Sequence, residues 1–355
     1  MDRKLLNWYD RHARTLPWRV SPQDGMNGVV PNPYHVWLSE VMLQQTTVAT
    51  VGAYFQKFVH KWPRVEDLAA SDTEEVMKAW AGLGYYSRAR NLKACAEMVA
   101  ADYGGKFPQT AAELQKLPGI GPYTAAAISA IAFGQAEPVV DGNIERVSTR
   151  YTANATPLPA VKEDCRAFMA DVTPQDRPGD FVQAMMDLGA TICTPRNPAC
   201  ALCPISEGCA ARAANAATDY PVKAPKKKKP TRVGAAYVLQ RADGAIWLTK
   251  RPNSGLLGGM SVVPTTGWTS RQDGETSVSA APVEEDWKNC GTVRHTFTHF
   301  HLELQIWFAA GAAMTTLVPG TGWWSAADDI PGEALPTVMK KAISAAISDA
   351  FKERP

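Results

Sequence analysis

Leu117-Pro118-Gly119-Ile120-Gly121, followed by Tyr123 and then by Asp141 in Val139-Val140-Asp141-Gly142-Asn143, is the stretch on which the reading of this chain turns. Two glycines around a single residue, with a proline ahead, predict a tight turn at the head of the apolar run Thr124 to Phe133, which reads as a helix. A glycine-rich turn at a helix N-terminus bares backbone N–H groups and so suits a phosphate. Asp141, in its own Gly-Asn loop, is a candidate catalytic carboxylate. A phosphate clamp beside an acid is a specific pairing.

Outward from this stretch, the 355 residues suffice for two or three domains, each with its own core. A net charge of only +2 means that any nucleic-acid binding must come from local basic patches. The opening Met1-Asp2-Arg3-Lys4 carries alternating charge rather than a signal sequence's apolar segment. No apolar run approaches the roughly 18 residues of a membrane span. The expectation is a soluble, cytoplasmic chain with no membrane partner.

Residues 1–215 read as mostly helical, with helices expected over 2–13, 34–60, 72–80, 87–103, 110–116, 122–133, 143–150, 161–171 and 178–191, separated by Gly/Pro punctuation. Residues 216–232, with Lys226-Lys227-Lys228-Lys229 between prolines, read as a stiff, solvated linker. Over 233–355 the period changes to two. Ala235–Gln240 and Ala245–Lys250 flank Ala242-Asp243-Gly244 as a hairpin, and Phe300 to Phe308 alternates as a half-buried strand. With an amphipathic helix over Pro336 to Phe351, this second domain reads as α+β.

Glu40 is the only charged residue between His35 and Lys57, in a segment apolar almost all round. Burial should raise its pKa and suit it to general acid work. Asp141 precedes a helix starting near Asn143, whose N–H groups favour the ionised form. Two carboxylates pushed in opposite directions make an acid and a stabilising anion or nucleophile. Each alone has a structural alternative: a buried ion pair for Glu40, an ordinary helix cap for Asp141. Their company with the glycine turn favours chemistry.

Four of the seven cysteines are packed as Cys193-x6-Cys200-x2-Cys203-x5-Cys209. In a chain of this kind, such clustering favours a metal site over disulfides. The short loops suit a cubic 4Fe–4S cluster, with structural zinc the rival on spacing alone. Cys95, Cys165 and Cys290 read as small core residues.

With these features in hand, the chain resembles the helix-hairpin-helix DNA glycosylase superfamily with an iron–sulfur cluster, and within it the MutY family of adenine glycosylases. The resemblance spans nearly the whole chain. It is carried by Leu16-Pro17-Trp18-Arg19, Trp37 to Thr46, Gly82 to Asn91 and Gln183 to Ala190. It implies a two-lobed helical region with a helix-hairpin-helix and a four-cysteine cluster loop at 193–209, followed by a Nudix-like (MutT-like) recognition domain. It also implies removal of adenine mispaired with 8-oxoguanine or guanine in double-stranded DNA, by a bacterial, nucleoid-associated monomer with repair-protein partners reached through the linker.

By the same resemblance, Glu40 protonates N7 of a flipped-out adenine, Asp141 stabilises or traps the sugar cation, and Asn143 supports the loop. Arg14, Leu16, Trp18 and Asp187 line the adenine pocket. Gln45 and Tyr85 insert into the duplex near 8-oxoguanine, and Phe297-Thr298-His299 meets that base. The amides of Leu117, Gly119 and Gly121 bind DNA phosphate without reading sequence. Tyr123 stands where strand-cutting relatives carry a Schiff-base lysine, which implies a monofunctional glycosylase.

The second domain lacks the acidic helix that holds catalytic metal in Nudix hydrolases. The competing readings are a thymine- or oxidised-pyrimidine-removing relative, a silent DNA-binding module and a nucleotide hydrolase.

Overall fold

The computed structural model describes residues 1–224, 228–253, 255–312 and 322–352, so Lys226 and Lys227 of the linker run lie outside the described residues. In chain order the helices are α1 (Asp2–His12), α2 (Pro22–Met26), α3 (Pro33–Leu43), α4 (Val48–Lys61), α5 (Val65–Ala70), α6 (Thr73–Trp80), α7 (Ser87–Asp102), α8 (Ala111–Leu114), α9 (Pro122–Phe133), α10 (Gly142–Thr152), α11 (Lys162–Val172), α12 (Pro178–Thr191), α13 (Ala210–Ala213) and α14 (Thr337–Ala346). The strands are β1 (Thr231–Arg241), β2 (Ile246–Lys250), β3 (Ser261–Val262), β4 (Lys288–Thr296), β5 (His301–Ala312) and β6 (Gly322–Ser325). Among the described residues, no helix is long and apolar enough to cross a membrane.

Two compact units result: Met1–Ser71 with Asn91–Lys226, and Asp72–Arg90 with Lys227–Pro355. The division is not linear along the chain. Asp72–Arg90, within the range read as the helical region, groups with the second unit. There the Tyr85 hydroxyl bonds Thr298 Oγ1 at 2.9 Å, the Arg90 guanidinium donates to the Gly258 carbonyl, and Lys250 meets Glu74 at 3.4 Å.

In the first unit, the single helix expected over 34–60 is two. α3 starts with Asn32 accepting from the Tyr34 amide at 2.9 Å, with Pro33 in the first turn. It ends at Gln44–Gln45, where Gln45 takes a left-handed φ of 61°, and Thr47 caps α4 by accepting from Thr50 N. The break falls on four polar residues, Gln44 to Thr47, with no Gly or Pro to mark it, so the helical reading runs on across it. α2 and α5 are further additions, each too short to show a period.

One buried cluster gathers α1, α9, α10 and α12 through Leu5, Tyr9, Ala127, Ile144, Phe181 and Met185. α9 carries alanines on this face and closes on Gly134 at φ 66°. Small residues let helices approach closely. A Cβ on Gly179 would lie 2.6 Å from the Ala130 carbonyl oxygen, and one on Gly189 would lie 2.6 Å from Asn143 Cβ.

The second unit is built on a mixed sheet of order β3-β2-β1-β5-β4, with β6 also pairing β2. The expected hairpin is β1–β2, antiparallel with Gln240 opposite Ile246, while β1 and β5 run parallel from Thr231 opposite His301. Alternation along β5 buries Leu302, Leu304 and Ile306 in the core cluster that includes Val338, Met339, Ala342 and Ile343 of α14. α14 is shorter than expected, ending at Ala346. Between β3 and β4 the described residues form one short 3-10 turn, Val278–Ala280, and no α-helix.

The α10–α12 crossing gives a stability test. Gly189→Ala gains about 1 kcal/mol of helix propensity, but its methyl meets both the side chain and the backbone of Asn143, which cannot recede, and such overpacking costs about 1–3 kcal/mol. Thermal unfolding should therefore show a lower Tm for Gly189→Ala; an equal or higher Tm would refute this account of the crossing.

Candidate active site

α3, α9 and α10 bring Glu40, Tyr123 and Asp141 to one cavity of about 940 Å³ in the first unit. Glu40 is 7% exposed, and among the described residues no ion pair engages it: its hydrogen-bond partner is the Tyr123 hydroxyl, which donates to Oε2 at 2.8 Å. Burial pushes the Glu40 pKa up to about 7, with the charge of Asp141 adding to the rise and the Tyr123 hydrogen bond opposing it. A carboxyl poised there can hold and deliver a proton at neutral pH.

Asp141 caps α10. Its Oδ1 accepts from the amides of Asn143 at 3.0 Å and Ile144 at 2.7 Å, and its Oδ2 accepts from Asn143 Nδ2 at 2.9 Å. These bonds favour the anion, yet burial outweighs them and the Asp141 pKa is also raised. The expected opposition of the two carboxylates is thus corrected: desolvation raises both. What separates them is chemistry at the oxygens. Glu40 accepts one phenol hydrogen bond, whereas Asp141 is held by three N–H donors that fix its orientation.

Arg14, Leu16 and Trp18, read as walls of the adenine pocket, line this cavity, and so do Gln45, placed by the resemblance near 8-oxoguanine instead, Gln183 and Lys162. Asp187 does not. It is fully buried beneath the wall, where its oxygens accept from Arg14 N at 2.9 Å, Arg14 Nε at 2.6 Å and Arg19 Nη1 at 2.8 Å. With both oxygens occupied, Asp187 sets the two guanidiniums in place rather than meeting a base. Arg19 is the residue the sequence reading passed over, although it stands in the quoted Leu16–Arg19 motif. Removing Asp187 would strand two cations, a loss of about 3–5 kcal/mol for a buried pair.

Arg146, one turn beyond Asp141, was also missed. Its Nη2 donates to Asn143 Oδ1 at 2.9 Å and to the Gly189 carbonyl at 2.6 Å, and its Nε donates to the Cys193 carbonyl at 2.8 Å. A chain of hydrogen bonds thus runs from Asp141 through Asn143 and Arg146 to the first cysteine of the quartet. Arg150, 2% exposed, grips the same loop through Cys193 Sγ at 3.3 Å, the Thr194 carbonyl at 2.8 Å and the Pro195 carbonyl at 2.9 Å. Only the fold reveals that these arginines face inward.

Cys193, Cys200, Cys203 and Cys209 line one small cavity. Among the described residues, no three His, Cys, Asp or Glu side chains converge on a point that would hold a single metal ion. Four thiols spread round a cavity, with an Arg150 N–H on one sulfur, fit an iron–sulfur cluster better than a lone zinc.

The glycine turn is surface in part. Gly119, at φ 76°, and Gly121 are exposed. Leu117 departs from expectation: its side chain is 2% exposed and its amide donates to the Leu114 carbonyl, so it anchors the turn instead of facing a ligand.

In the second unit, Tyr85 and Phe297-Thr298-His299 line a different cavity of about 750 Å³, so Tyr85 and Gln45 line separate cavities. Tyr85, at φ 48°, is held by its bond to Thr298, and Phe297 stacks on Phe300 at 4.7 Å.

Residues 38–168 match the helix-hairpin-helix superfamily of base excision DNA repair proteins, 193–209 match the iron–sulfur binding domain of endonuclease III, and 235–345 match the Nudix domain. The chain is 38% identical to the adenine DNA glycosylase of Homo sapiens, over 95% of this chain and 72% of that one, and 37% identical to that of Rattus norvegicus, over 96% and 76%. The adenine DNA glycosylase of Buchnera aphidicola from Schizaphis graminum is 31% identical over 84% of each chain. Among solved structures, a thermostable thymine-DNA glycosylase superposes with a TM-score of 0.51 at 30% identity, covering 59% of this chain and 93% of that one.

Likeness that runs through the helical region, the cysteine loop and the Nudix-like domain alike makes this chain a member of the adenine DNA glycosylase family, an iron–sulfur enzyme of base excision repair.

Proposed function

We propose that this glycosylase removes adenine paired with 8-oxoguanine or guanine, with Glu40 as general acid and Asp141 as the stabilising carboxylate. The observation that carries this reading is the shared cavity, lined both by Glu40, whose burial raises its pKa to about 7, and by Asp141, held by three N–H donors. Glu40 delivers its proton to N7 of the extruded adenine. The C1′–N9 bond then breaks with its electron pair leaving on the base. Asp141 stabilises the cationic sugar or bonds C1′ for a time, water adds at C1′, and its proton returns to Glu40. Asn143 holds Asp141; Arg14, Leu16 and Trp18 wall the base.

Residues 1–215 supply this chemistry and 233–355 supply lesion recognition, through Phe297, Thr298 and His299 with Tyr85. The exposed Gly119 and Gly121 amides meet DNA phosphate. Cys193, Cys200, Cys203 and Cys209 would hold the cluster, which would make their loop rigid for DNA docking; the chain's own contribution is the Arg146 and Arg150 grip on that loop.

Glu40→Gln removes the transferable proton and Asp141→Asn the anion. Each should cut single-turnover base release from an adenine:8-oxoguanine duplex by at least about 10²-fold while leaving duplex binding intact. Binding lost in step with activity would point to misfolding and defeat the assignment, as would release of thymine or an oxidised pyrimidine in adenine's place.

The pH profile has a defined sign. Glu40 acts in its protonated form, which is populated below about pH 7 and lost above it. Base release should therefore fall on the alkaline side with a midpoint near that value. Tyr123→Phe removes a hydrogen bond that favours the carboxylate, so this limb should move to higher pH; a shift to lower pH, or none, would contradict the role given to Tyr123.

Tyrosine at 123 offers no amine for a Schiff base, and the lysine lining the cavity, Lys162, is exposed at the start of α11. Borohydride should trap no efficient enzyme–DNA adduct. Efficient trapping would show that the enzyme also cuts the strand.

A further inference from the structure

We propose that Lys229, the last lysine of the linker run, is a DNA-phosphate contact of the second cavity; the proposal rests on reading that cavity as the lesion-recognition site. Composition alone makes the lysine run a solvated spacer. The described part of it is not free of the fold. Lys229 Nζ donates to the Phe297 carbonyl at 3.0 Å, and the next residue, Pro230, accepts from the His301 amide at 2.9 Å. Thr231 then enters the sheet opposite His301. The linker's last residues are thus bonded to both ends of the turn that presents Thr298 and His299, a turn closed by Phe297 N to the Phe300 carbonyl at 2.9 Å.

This fastening puts an ammonium in the cavity wall, beside Thr298 and His299. An ammonium carries three donors, and the Phe297 carbonyl uses one. A carbonyl orients the charge but does not neutralise it. No carboxylate pairs with Lys229 among the described residues. The other basic groups of the wall are less suited to an anion. Arg90 is half-buried where Lys229 is exposed, and burial lowers the His295 pKa, which favours its neutral ring. The anion that this enzyme's substrate brings is the phosphate backbone. A cation fixed at the rim of a base-sized cavity is placed for the phosphate of the nucleotide recognised there, where it adds affinity and register but reads no base.

The test uses the full-length, iron-loaded enzyme and duplexes carrying 8-oxoguanine or guanine opposite an abasic-site analogue, with Kd measured across a salt series. For Lys229→Gln, the slope of log affinity against log salt should fall by about 0.9, the loss of one phosphate contact. Affinity should drop by the same factor for both duplexes. Lys229→Arg should restore the slope, and Lys228→Gln, which alters the same linker charge, should leave it unchanged. An unchanged slope for Lys229→Gln, or an equal fall for Lys228→Gln, overturns the proposal. So does a loss of 8-oxoguanine preference without a slope change, which would make Lys229 only a latch for the turn. Thr298→Val in the same assay separates the underlying reading. If it leaves the preference for 8-oxoguanine intact while Lys229→Gln still lowers the slope, the recognition reading fails and the phosphate contact stands.

Discussion

The crossing of α10 over α12 at Gly189 carries the geometry of the active site, because no side chain larger than hydrogen leaves Asn143 room at 2.6 Å. From that contact Asn143 reaches Asp141 with its amide, and Arg146 ties Asn143 and the Gly189 carbonyl to the Cys193 carbonyl. One close approach of two helices therefore fixes the Asp141 carboxylate and the start of the cysteine loop together. Rotating either helix by even a small angle would break several charge-assisted hydrogen bonds at once. Such bonds are worth about 1.5–3 kcal/mol each when they involve a charged group.

Electrostatics then divides labour between two carboxylates that burial treats alike. Both are raised, but Glu40 has a single phenol donor in an apolar helix, while Asp141 has three N–H donors at a helix start. The first sits with its pKa near neutrality on one hydrogen bond; the second has its orientation fixed by three. Beneath them Asp187 performs a third task, anchoring Arg14 and Arg19. Three acids within one fold thus meet a phenol, three N–H donors and two guanidiniums, and their partners distinguish them more than their burial does.

Much of the fold was legible. The glycine turn, the cysteine spacing, the β1–β2 hairpin and the alternation of β5 all follow from short-range chemistry: positive φ, ligand spacing and period-two burial. The break at Gln45 was not, since Gln44 to Thr47 hold no Gly or Pro and the turn's cause is the left-handed backbone at Gln45 and the Thr47 cap. Nor was the placement of α6 and Tyr85 with the second unit, which depends on hydrogen bonds to residues more than a hundred and fifty positions away, such as Tyr85 to Thr298.

By itself the sequence determined which residues could do chemistry. A lone glutamate in an apolar helix, an aspartate at a helix start and four clustered thiols announce themselves, because charge, capping and metal affinity are properties of single side chains and short spacings. Tertiary structure decided what those residues meet. It put Tyr123 rather than an arginine on Glu40, turned Asp187 from a pocket residue into an anchor, aimed Arg146 and Arg150 inward and fastened Lys229 to the Phe297 turn. A pKa, a partner and an orientation depend on the three-dimensional distance to other groups, and linear order does not encode that distance.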